Sequence, residues 1–216
     1  MEHEFWHERW QRGEIGFHRA EVHPVLKAQI SALLPPPAGI FVPLCGKSLD
    51  MKWLCEQGYD VVGVELSAAA IEAFMQEQKF SYTRQQQGPF EVYQAEGIRI
   101  YHGDFFALQR EHLVHCQAWY DRAALVALPP AMRGRYNQHL QSIMTPTAVG
   151  LVITVEYPDG YWKGPPFTVT EDEVRAAYSQ RYDIDVLPAR KGFIDGGDSQ
   201  VQERGYRLFP RQSSAQ

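Results

Sequence analysis

The stretch "FVPLCGKSLD", residues 41–50, ends an apolar run in a Gly-Lys-Ser triplet. The same triplet ends a phosphate-binding loop, G-x-x-x-x-G-K-[ST], whose first glycine lets the backbone curl around the phosphates. Here that first position holds Phe41, and Pro43 removes a backbone N–H that such a loop would use. The spacing therefore argues against a triphosphate loop and favours a strand–turn–helix unit with its turn at Gly46.

Length and composition predict a single domain that handles small molecules. The chain has 216 residues and a formal net charge of −5, and it is 44% hydrophobic and 22% charged. This length suits one domain, which we divide into a lead-in over residues 1–38 and an α/β core over residues 39–216. An acidic chain without a basic stripe is not expected to bind nucleic acid.

The cysteines and the absence of targeting signals favour a reducing compartment. Cys45, Cys55 and Cys116 are odd in number and form no C-x-x-C pair, so neither a disulfide framework nor a zinc knuckle is indicated. The sequence shows no signal peptide and no apolar run of 18 residues. We expect a cytoplasmic monomer that does not associate with membranes.

Beyond residue 38, strand and helix patterns alternate. Short runs rich in Val and Ile are typical of parallel strands covered on both faces, and a closing antiparallel pair is predicted in the tail. The predicted parallel strands cover residues 39–44, 60–66, 98–106, 117–125 and 149–157, and the tail pair covers residues 183–189 and 202–210. This order predicts a doubly wound α/β sheet, whose ligand site lies at the carboxyl ends of its strands.

Four stretches meet at that predicted edge: "PLCG" (43–46), Glu65, Asp104 and residues 120–122. Glu65 follows Leu44 by about 20 residues, the spacing of the acid that accepts hydrogen bonds from ribose hydroxyls in dinucleotide-binding folds. The pyrophosphate of NAD needs a glycine-rich first loop, and "PLCG" offers one glycine and a proline. An adenosine cofactor without phosphates, such as S-adenosylmethionine, fits better.

Several strings in this chain together resemble the bacterial type of the thiopurine S-methyltransferase family, from about Trp6 to about Phe167. They occur in the same order as in the family: "FWHERWQRGEIGFH", "VPLCGKSLDMKWL", "GYDVVGVELS", "YDRAALVALPP" and "GPPF". The resemblance implies a Rossmann-like class I methyltransferase with a seven-stranded sheet and S-adenosyl-L-methionine as its cofactor. The residues that it implies for the cofactor are Trp10, the Leu44 carbonyl, Glu65, Arg122 and, near the adenine, Asp104 and Phe105. For the substrate it implies Phe17 and Arg190.

The expected activity is methyl transfer to the sulfur of aromatic thiols of the thiopurine kind, and selenium and tellurium species are further acceptors associated with bacterial relatives. Positioning can supply about 7–11 kcal/mol of a barrier, so we predict a proximity mechanism without a catalytic acid or base. Arg122 would hold the cofactor carboxylate, unless it instead forms an ion pair with Asp121 or another acid. An NAD-dependent reductase and a non-catalytic cofactor sensor are the alternatives.

Two short motifs match other enzyme classes only in part, and the N-terminal segment has a predicted role of its own. Residues 3–7, "HEFWH", match the H-E-x-x-H of zinc proteases, but they lie at the terminus, where chains fray, and we predict no metal. "GPPF" (164–167) resembles a motif of nucleic-acid methyltransferases without its leading Asn or Asp, and we interpret it as a substrate-side loop. Residues 1 to about 20 are predicted to form a helical lid with Trp10 and Phe17 facing inward. Packing against the flank of the sheet explains Trp6 equally well, whereas Gly13 and Gly16 favour the lid for Trp10 and Phe17 because they supply flexible points.

Overall fold

The structure is a computed structural model, and it describes residues 19–191 and 200–212. The helices are α1 (Pro24–Leu33), α2 (Leu49–Glu56), α3 (Ala68–Glu77), α4 (Pro130–Ile143) and α5 (Glu171–Tyr178). Short 3-10 helices lie at Phe105–Ala107, Arg110–Leu113 and Leu125–Ala127. The strands are β1 (Gly39–Val42), β2 (Asp60–Glu65), β3 (Thr83–Gln87), β4 (Phe90–Ala95), β5 (Ile98–His102), β6 (Cys116–Arg122), β7 (Val149–Glu156), β8 (Tyr182–Val186), β9 (Arg190–Lys191) and β10 (Gln202–Pro210).

All strands of the described residues belong to one sheet in the order β3-β4-β5-β2-β1-β6-β7-β10-β8, with β9 paired to β10. The five central strands, from β5 to β7, run parallel. Strand order reverses at β1, because the chain passes to β2 on one side and later to β6 on the other. The carboxyl ends of β1, β2, β5 and β6 therefore form a switch point, where α/β sheets bind their ligands.

The seven strands from β5 to β8 confirm the predicted doubly wound sheet, and three further strands enlarge it to ten. Strands β3 and β4 form a hairpin that extends the sheet antiparallel to β5. The short β9 pairs with the outer part of β10. Neither addition interrupts the central strands, so the central order agrees with the prediction.

Apolar side chains cover both faces of the sheet. On β1, Phe41 packs into one buried cluster, whereas Ile40 and Val42 pack into the other. This two-sided burial explains why β1 and β2 are continuous apolar runs. Fully burying a side chain of this size contributes about 1.5–3 kcal/mol, so the central strands, and with them their carboxyl ends, are held firmly in place.

The helices begin and end where local sequence signals indicate. Ser48 and Ser67 cap α2 and α3 with their side chains, and Thr170 forms a capping box with Glu173 at the start of α5. Gly58 follows α2 with φ of 88°, the left-handed geometry that closes many helices. In the described part of the chain, no helix has both the length and the apolar character needed to cross a membrane.

Candidate active site

The turn after β1 has an unusual backbone. Leu44 has φ of 47° and Gly46 has φ of 53°, and the left-handed region is strained for a leucine. Cys45 N–H donates to the Val64 carbonyl at 3.0 Å, which ties the turn to β2. Among the described residues, no donor reaches the Leu44 carbonyl. The turn thus presents one carbonyl oxygen that is available to a ligand.

Glu65 is the last residue of β2, and it is only 7% exposed. Its Oε2 accepts the N–H of Gly46 at 2.9 Å, and its Oε1 accepts the N–H of Ser67 at 2.8 Å. Burial raises the pKa of Glu65, while the N–H groups of Ser67, Gly46 and Leu66 act in the opposite direction. Each carboxylate oxygen has room for a second hydrogen bond. Glu65 can therefore accept from two adjacent hydroxyl groups without releasing its backbone partners.

The segment after β5 approaches Glu65 from the other side. Gly103 N–H donates to the Glu65 carbonyl at 3.0 Å. Asp104 caps the following 3-10 helix, because its Oδ1 accepts the N–H of Phe106 at 2.9 Å. The ring of Phe105 is buried against Tyr136, with ring centroids 4.9 Å apart. Since its ring belongs to the core, Phe105 can face a ligand mainly through its backbone.

Arg122 ends β6 and is half-buried. In residues 19–191 and 200–212, no carboxylate lies within 4.0 Å of its guanidinium. Asp121 is instead engaged elsewhere, since its Oδ2 accepts the hydroxyl of Tyr136 at 2.7 Å and its Oδ1 accepts the N–H of Leu125 at 3.0 Å. The alternative of an Asp121–Arg122 ion pair is therefore wrong. Ala123, with φ of 66°, turns the chain sharply just after Arg122.

The structure brings together four of the predicted site residues. Leu44, Glu65, Asp104 and Arg122 lie at or just after the carboxyl ends of four neighbouring parallel strands, β1, β2, β5 and β6. The chain order of these strands differs from their order in the sheet, so only the fold makes them neighbours. A single elongated ligand can contact all four positions along this edge.

The predicted substrate residues are placed differently. Arg190 lies on β9, is exposed and pairs in register with Glu203 of β10, so it does not belong to the four-strand group. Trp10 and Phe17 lie outside the described residues, as do the predicted lid and the H-E-x-x-H motif. The "GPPF" loop contacts the segment after Arg122, because Phe167 N–H donates to the Val126 carbonyl at 2.7 Å.

A buried polar group that the sequence analysis did not predict lies beside the site, and we call it the His23 cluster (Arg19, His23, Asp50, Tyr120 and Glu203). His23 is fully buried, its N–H donates to Asp50 Oδ1 at 2.7 Å, and its Nε2 lies 3.4 Å from Glu203 Oε1. The hydroxyl of Tyr120 donates to Asp50 Oδ2 at 2.8 Å, and Arg19 Nη1 lies 3.9 Å from Glu203 Oε1. These residues come from four separate parts of the chain, and no spacing in the sequence connects them.

The three cysteines are free and unreactive in character. Cys45 packs against Gly63, where a Cβ would lie 2.8 Å from its Sγ, so β2 needs a glycine there. Burial raises the pKa of Cys45 well above its ordinary value, and the charge of Glu65 adds to this. Burial also raises the pKa of Cys55 and of Cys116 to about 12. Cys45 is therefore a small apolar filler of the core rather than a reactive thiol.

Comparison with known proteins decides the family. The model of the thiopurine S-methyltransferase family matches residues 1–208. The chain belongs to the thiopurine S-methyltransferase family. A thiopurine S-methyltransferase of Pseudomonas fluorescens SBW25 is 46% identical, with 98% of this chain and all of the relative covered. One of Pseudomonas aeruginosa UCBPP-PA14 is 45% identical over 96% of this chain and 99% of the relative.

Solved structures confirm the class I methyltransferase fold for this member of the family. A Burkholderia thailandensis 1,6-didemethyltoxoflavin N1-methyltransferase, solved with S-adenosylhomocysteine bound, superposes with a TM-score of 0.64 at 15% identity, covering 97% of this chain and 87% of that one. A TehB-like S-adenosylmethionine-dependent methyltransferase of Corynebacterium glutamicum gives 0.57 at 15% identity, covering 97% and 98%. At such identities the likeness concerns the fold. The predicted family and fold class are both confirmed.

Proposed function

We propose that this chain transfers the methyl group of S-adenosyl-L-methionine to the sulfur of an aromatic or heterocyclic thiol of the thiopurine kind. The observation that supports this most directly is the carboxyl edge of the sheet in a chain of this family. There, counting only the part of the chain that the structure describes, a carbonyl without a donor, a carboxylate with spare lone pairs and an arginine without an ion pair meet at one switch point.

The groups at this edge fit the polar parts of the cofactor one by one. Glu65 would accept hydrogen bonds from the two ribose hydroxyls, and Asp104 and the backbone of Phe105 would lie beside the adenine. The Leu44 carbonyl would accept from the ammonium group, and Arg122 would bind the carboxylate with two parallel hydrogen bonds. Trp10 would complete this site from the N-terminal segment. A pyrophosphate finds no glycine-rich cradle in the turn after β1, which disfavours NAD.

The chemistry assigned to the protein is positioning. When bound, the cofactor supplies an electrophilic methyl group on a sulfonium. The acceptor thiolate would attack the methyl carbon in line with the sulfonium C–S bond, so that the new S–CH3 bond forms as that bond breaks and S-adenosylhomocysteine is the leaving group. Charge disappears in this step, so alignment matters more than acid–base catalysis. No residue of the chain is assigned the role of acid or base.

The acceptor side of the site is assigned to Phe17, Arg190 and the "GPPF" loop. The loop is well fixed, since the hydroxyl of Tyr157 donates to the Pro166 carbonyl at 2.8 Å and Phe167 binds Val126. Trp162, at the start of this loop, is 44% exposed. Aromatic side chains and a nearby cation suit a flat, anionic heterocyclic thiolate. Selenium and tellurium species are smaller acceptors that the same nucleophilic displacement accommodates.

We propose further that residues 1–216 form one methyltransferase domain, with a lead-in over residues 1–38, that works as a cytoplasmic monomer. The net charge of −5 supports a small-molecule partner over nucleic acid. The three cysteines are free, which suits a reducing compartment.

Mass spectrometry of reaction products tests this proposal. The purified protein is incubated with S-adenosylmethionine and a panel of aryl thiols, heterocyclic thiols and oxyanions of selenium and tellurium. We expect S-methylated products from the heterocyclic and aryl thiols, with equal amounts of S-adenosylhomocysteine. Thermal shifts with S-adenosylhomocysteine and with NADH accompany the assay.

Two results would contradict the proposal. Stabilisation by S-adenosylhomocysteine without methylation of any acceptor would indicate a cofactor sensor. Stabilisation by NADH but not by S-adenosylhomocysteine would indicate a reductase.

A further inference from the structure

The His23 cluster lies next to the arginine that we assign to the cofactor carboxylate. Tyr120 precedes Arg122 by two residues on β6, and side chains two apart on a strand point to the same face. The hydroxyl of Tyr120 is held by Asp50 of α2 through the 2.8 Å hydrogen bond. The β6 segment that carries Arg122 is therefore anchored to the cluster on that face.

Glu203 lies near the Arg122 end of β6, but it comes from β10, the strand on the other side of β7. Arg122 pairs with Ile153 of β7, and Glu203 of β10 pairs with Val155, two residues further along the same strand. Both side chains thus flank the carboxyl end of β7. Glu203 is 8% exposed. Its carboxylate therefore acts on its neighbours through the protein interior, and charges interact more strongly there than in water.

Glu203 remains a carboxylate despite its burial. Burial alone raises the pKa of Glu203, but the His23 hydrogen bond and the neighbouring Arg19 and Arg122 guanidinium groups outweigh it, so the pKa is lowered. These neighbours approach the Glu203 carboxylate differently. Arg19 and His23 approach Glu203 Oε1 to 3.9 and 3.4 Å, whereas Arg122 forms no ion pair within 4.0 Å in the described residues.

We propose that Glu203 is a positioning residue for cofactor binding, whose buried carboxylate orients the Arg122 guanidinium without pairing with it. His23 and Arg19 hold the carboxylate in place, so it does not collapse onto Arg122. Its negative charge offsets the repulsion between the Arg19 and Arg122 guanidinium groups and leaves the N–H groups of Arg122 free for a ligand carboxylate. This inference rests on the proposed function, because that function assigns the cofactor carboxylate to Arg122.

Steady-state kinetics of Glu203→Gln give the first test. The amide keeps the size of the side chain and an acceptor for His23 but removes the charge. We expect the KM for S-adenosylmethionine to rise about 3–10-fold, since neighbouring charged groups couple by an amount of this order. At saturating cofactor kcat should stay within about twofold, because Glu203 does not touch the reacting atoms. A general loosening of the fold would instead lower kcat and the thermal midpoint together.

Glu171→Gln is the matched control. Glu171 is also bonded to arginines, accepting from Arg175 Nε and Arg204 Nη1 at 2.8 Å each, and Arg204 is the neighbour of Glu203 on β10. Its loss should leave the KM for S-adenosylmethionine unchanged. An equal rise of KM in both variants would overturn the proposal, because it would reflect a disturbed β10 rather than a charge beside Arg122.

A double-mutant cycle measured with S-adenosylhomocysteine by calorimetry gives the second test. If Glu203 acts through Arg122, adding Glu203→Gln to Arg122→Gln should weaken binding no further. If the fold-loss of affinity in the double variant equals the product of the fold-losses in the two single variants, the proposal is wrong. Should Arg122→Gln fail to fold, the comparison of Glu203→Gln with Glu171→Gln decides alone. Absence of S-adenosylhomocysteine binding in the unmodified protein would refute the proposed function itself. Normal binding by the unmodified protein, with independent effects of the two substitutions on affinity, would refute only this inference.

Discussion

Asp121 and Arg122 are neighbours in the sequence, yet they belong to two different regions of the molecule. Asp121 points to the face covered by α4, where Tyr136 and Leu125 occupy its two oxygens. Arg122 points to the opposite face, beside the His23 cluster, and keeps its guanidinium free of ion pairs with the described residues. Both are charged groups at the same strand end, and only one of them has its hydrogen bonds completed by the protein.

The difference separates a structural polar network from a binding one. On the α4 side, these polar groups bond to one another inside the core, and Tyr178 likewise donates to Asn137 Oδ1 at 2.8 Å. Buried polar groups whose hydrogen bonds are completed in this way fix one packing arrangement. On the other side, the cluster lies beside a cation that has no ion-pair partner among residues 19–191 and 200–212. The "YDR" string therefore contains one residue that serves the fold and one to which we assign a ligand.

The largest expected effect concerns the pH dependence of stability through Asp121. Burial raises the pKa of Asp121 to about 6, although bonds from Tyr136 and Leu125 oppose it. A carboxyl whose pKa is higher in the folded state contributes most below its unfolded pKa, about 3.9, and this contribution is lost as the pH rises through 6. Relative to Asp121→Asn, the unmodified protein should thus lose up to about 3 kcal/mol between pH 4 and pH 6.5.

Urea unfolding of both proteins from pH 4 to pH 7.5 measures this difference. The exposed Asp159→Asn variant is the control for removing a carboxyl at the surface. If the difference in unfolding free energy between the unmodified protein and Asp121→Asn stays constant over this range, the pKa of Asp121 is not raised by folding. Asp121 would then not differ in titration from a carboxylate at the surface.

The next effect concerns Arg122. Arg122→Lys keeps the charge but removes the planar pair of donors, so the affinity for S-adenosylhomocysteine should fall by about 1.5–3 kcal/mol, the value of hydrogen bonds to a charged group. Calorimetry measures the affinity, and the thermal midpoint should stay near that of the unmodified protein. Arg84→Lys, on the edge strand β3, is the control and should bind normally. Full affinity in Arg122→Lys would mean that a point charge suffices.

The smallest effect compares two tyrosines, one from each region. Tyr178→Phe removes the hydrogen bond to Asn137 and should cost about 0.5–1.5 kcal/mol of unfolding free energy, with an unchanged KM for S-adenosylmethionine. Tyr120→Phe removes the bond to Asp50 and should raise that KM as well, because it loosens the segment that carries Arg122. If both variants change KM equally, the two networks do not differ in function.

Most of the central fold follows from the sequence, and the parts that do not have physical reasons. Strands β1, β2 and β7 are apolar runs because both of their faces are covered. The hairpin strand Thr83–Gln87, "TRQQQ", lies at the sheet edge with four exposed residues, so it shows neither a run nor an alternation. Helix α1 was treated as lead-in, although Val25, Leu26, Ile30 and Leu33 are buried at helical spacing.

Some residues of the candidate site can likewise be predicted from the sequence, and others cannot. Leu44, Glu65 and Arg122 were found because each follows a recognisable strand within a specific string. Glu203 and His23 were missed because their role depends on contacts between residues 180 positions apart. A buried ionic cluster assembled from distant elements leaves no periodic pattern in the chain. The assignments of Trp10 and Phe17 stay predictions, since both residues lie outside the described part.

The cysteines described above bear on the compatibility of this protein with its own acceptor. A thiol substrate can form mixed disulfides with protein cysteines, and the thiolate is the form that exchanges. Burial raises the pKa of Cys55 and Cys116 to about 12, so little of either thiol is ionised at neutral pH. Cys45 is in addition buried. Both features disfavour disulfide exchange between the folded protein and a thiol, and colorimetric thiol reagents should follow the consumption of a thiol acceptor with little background from the protein.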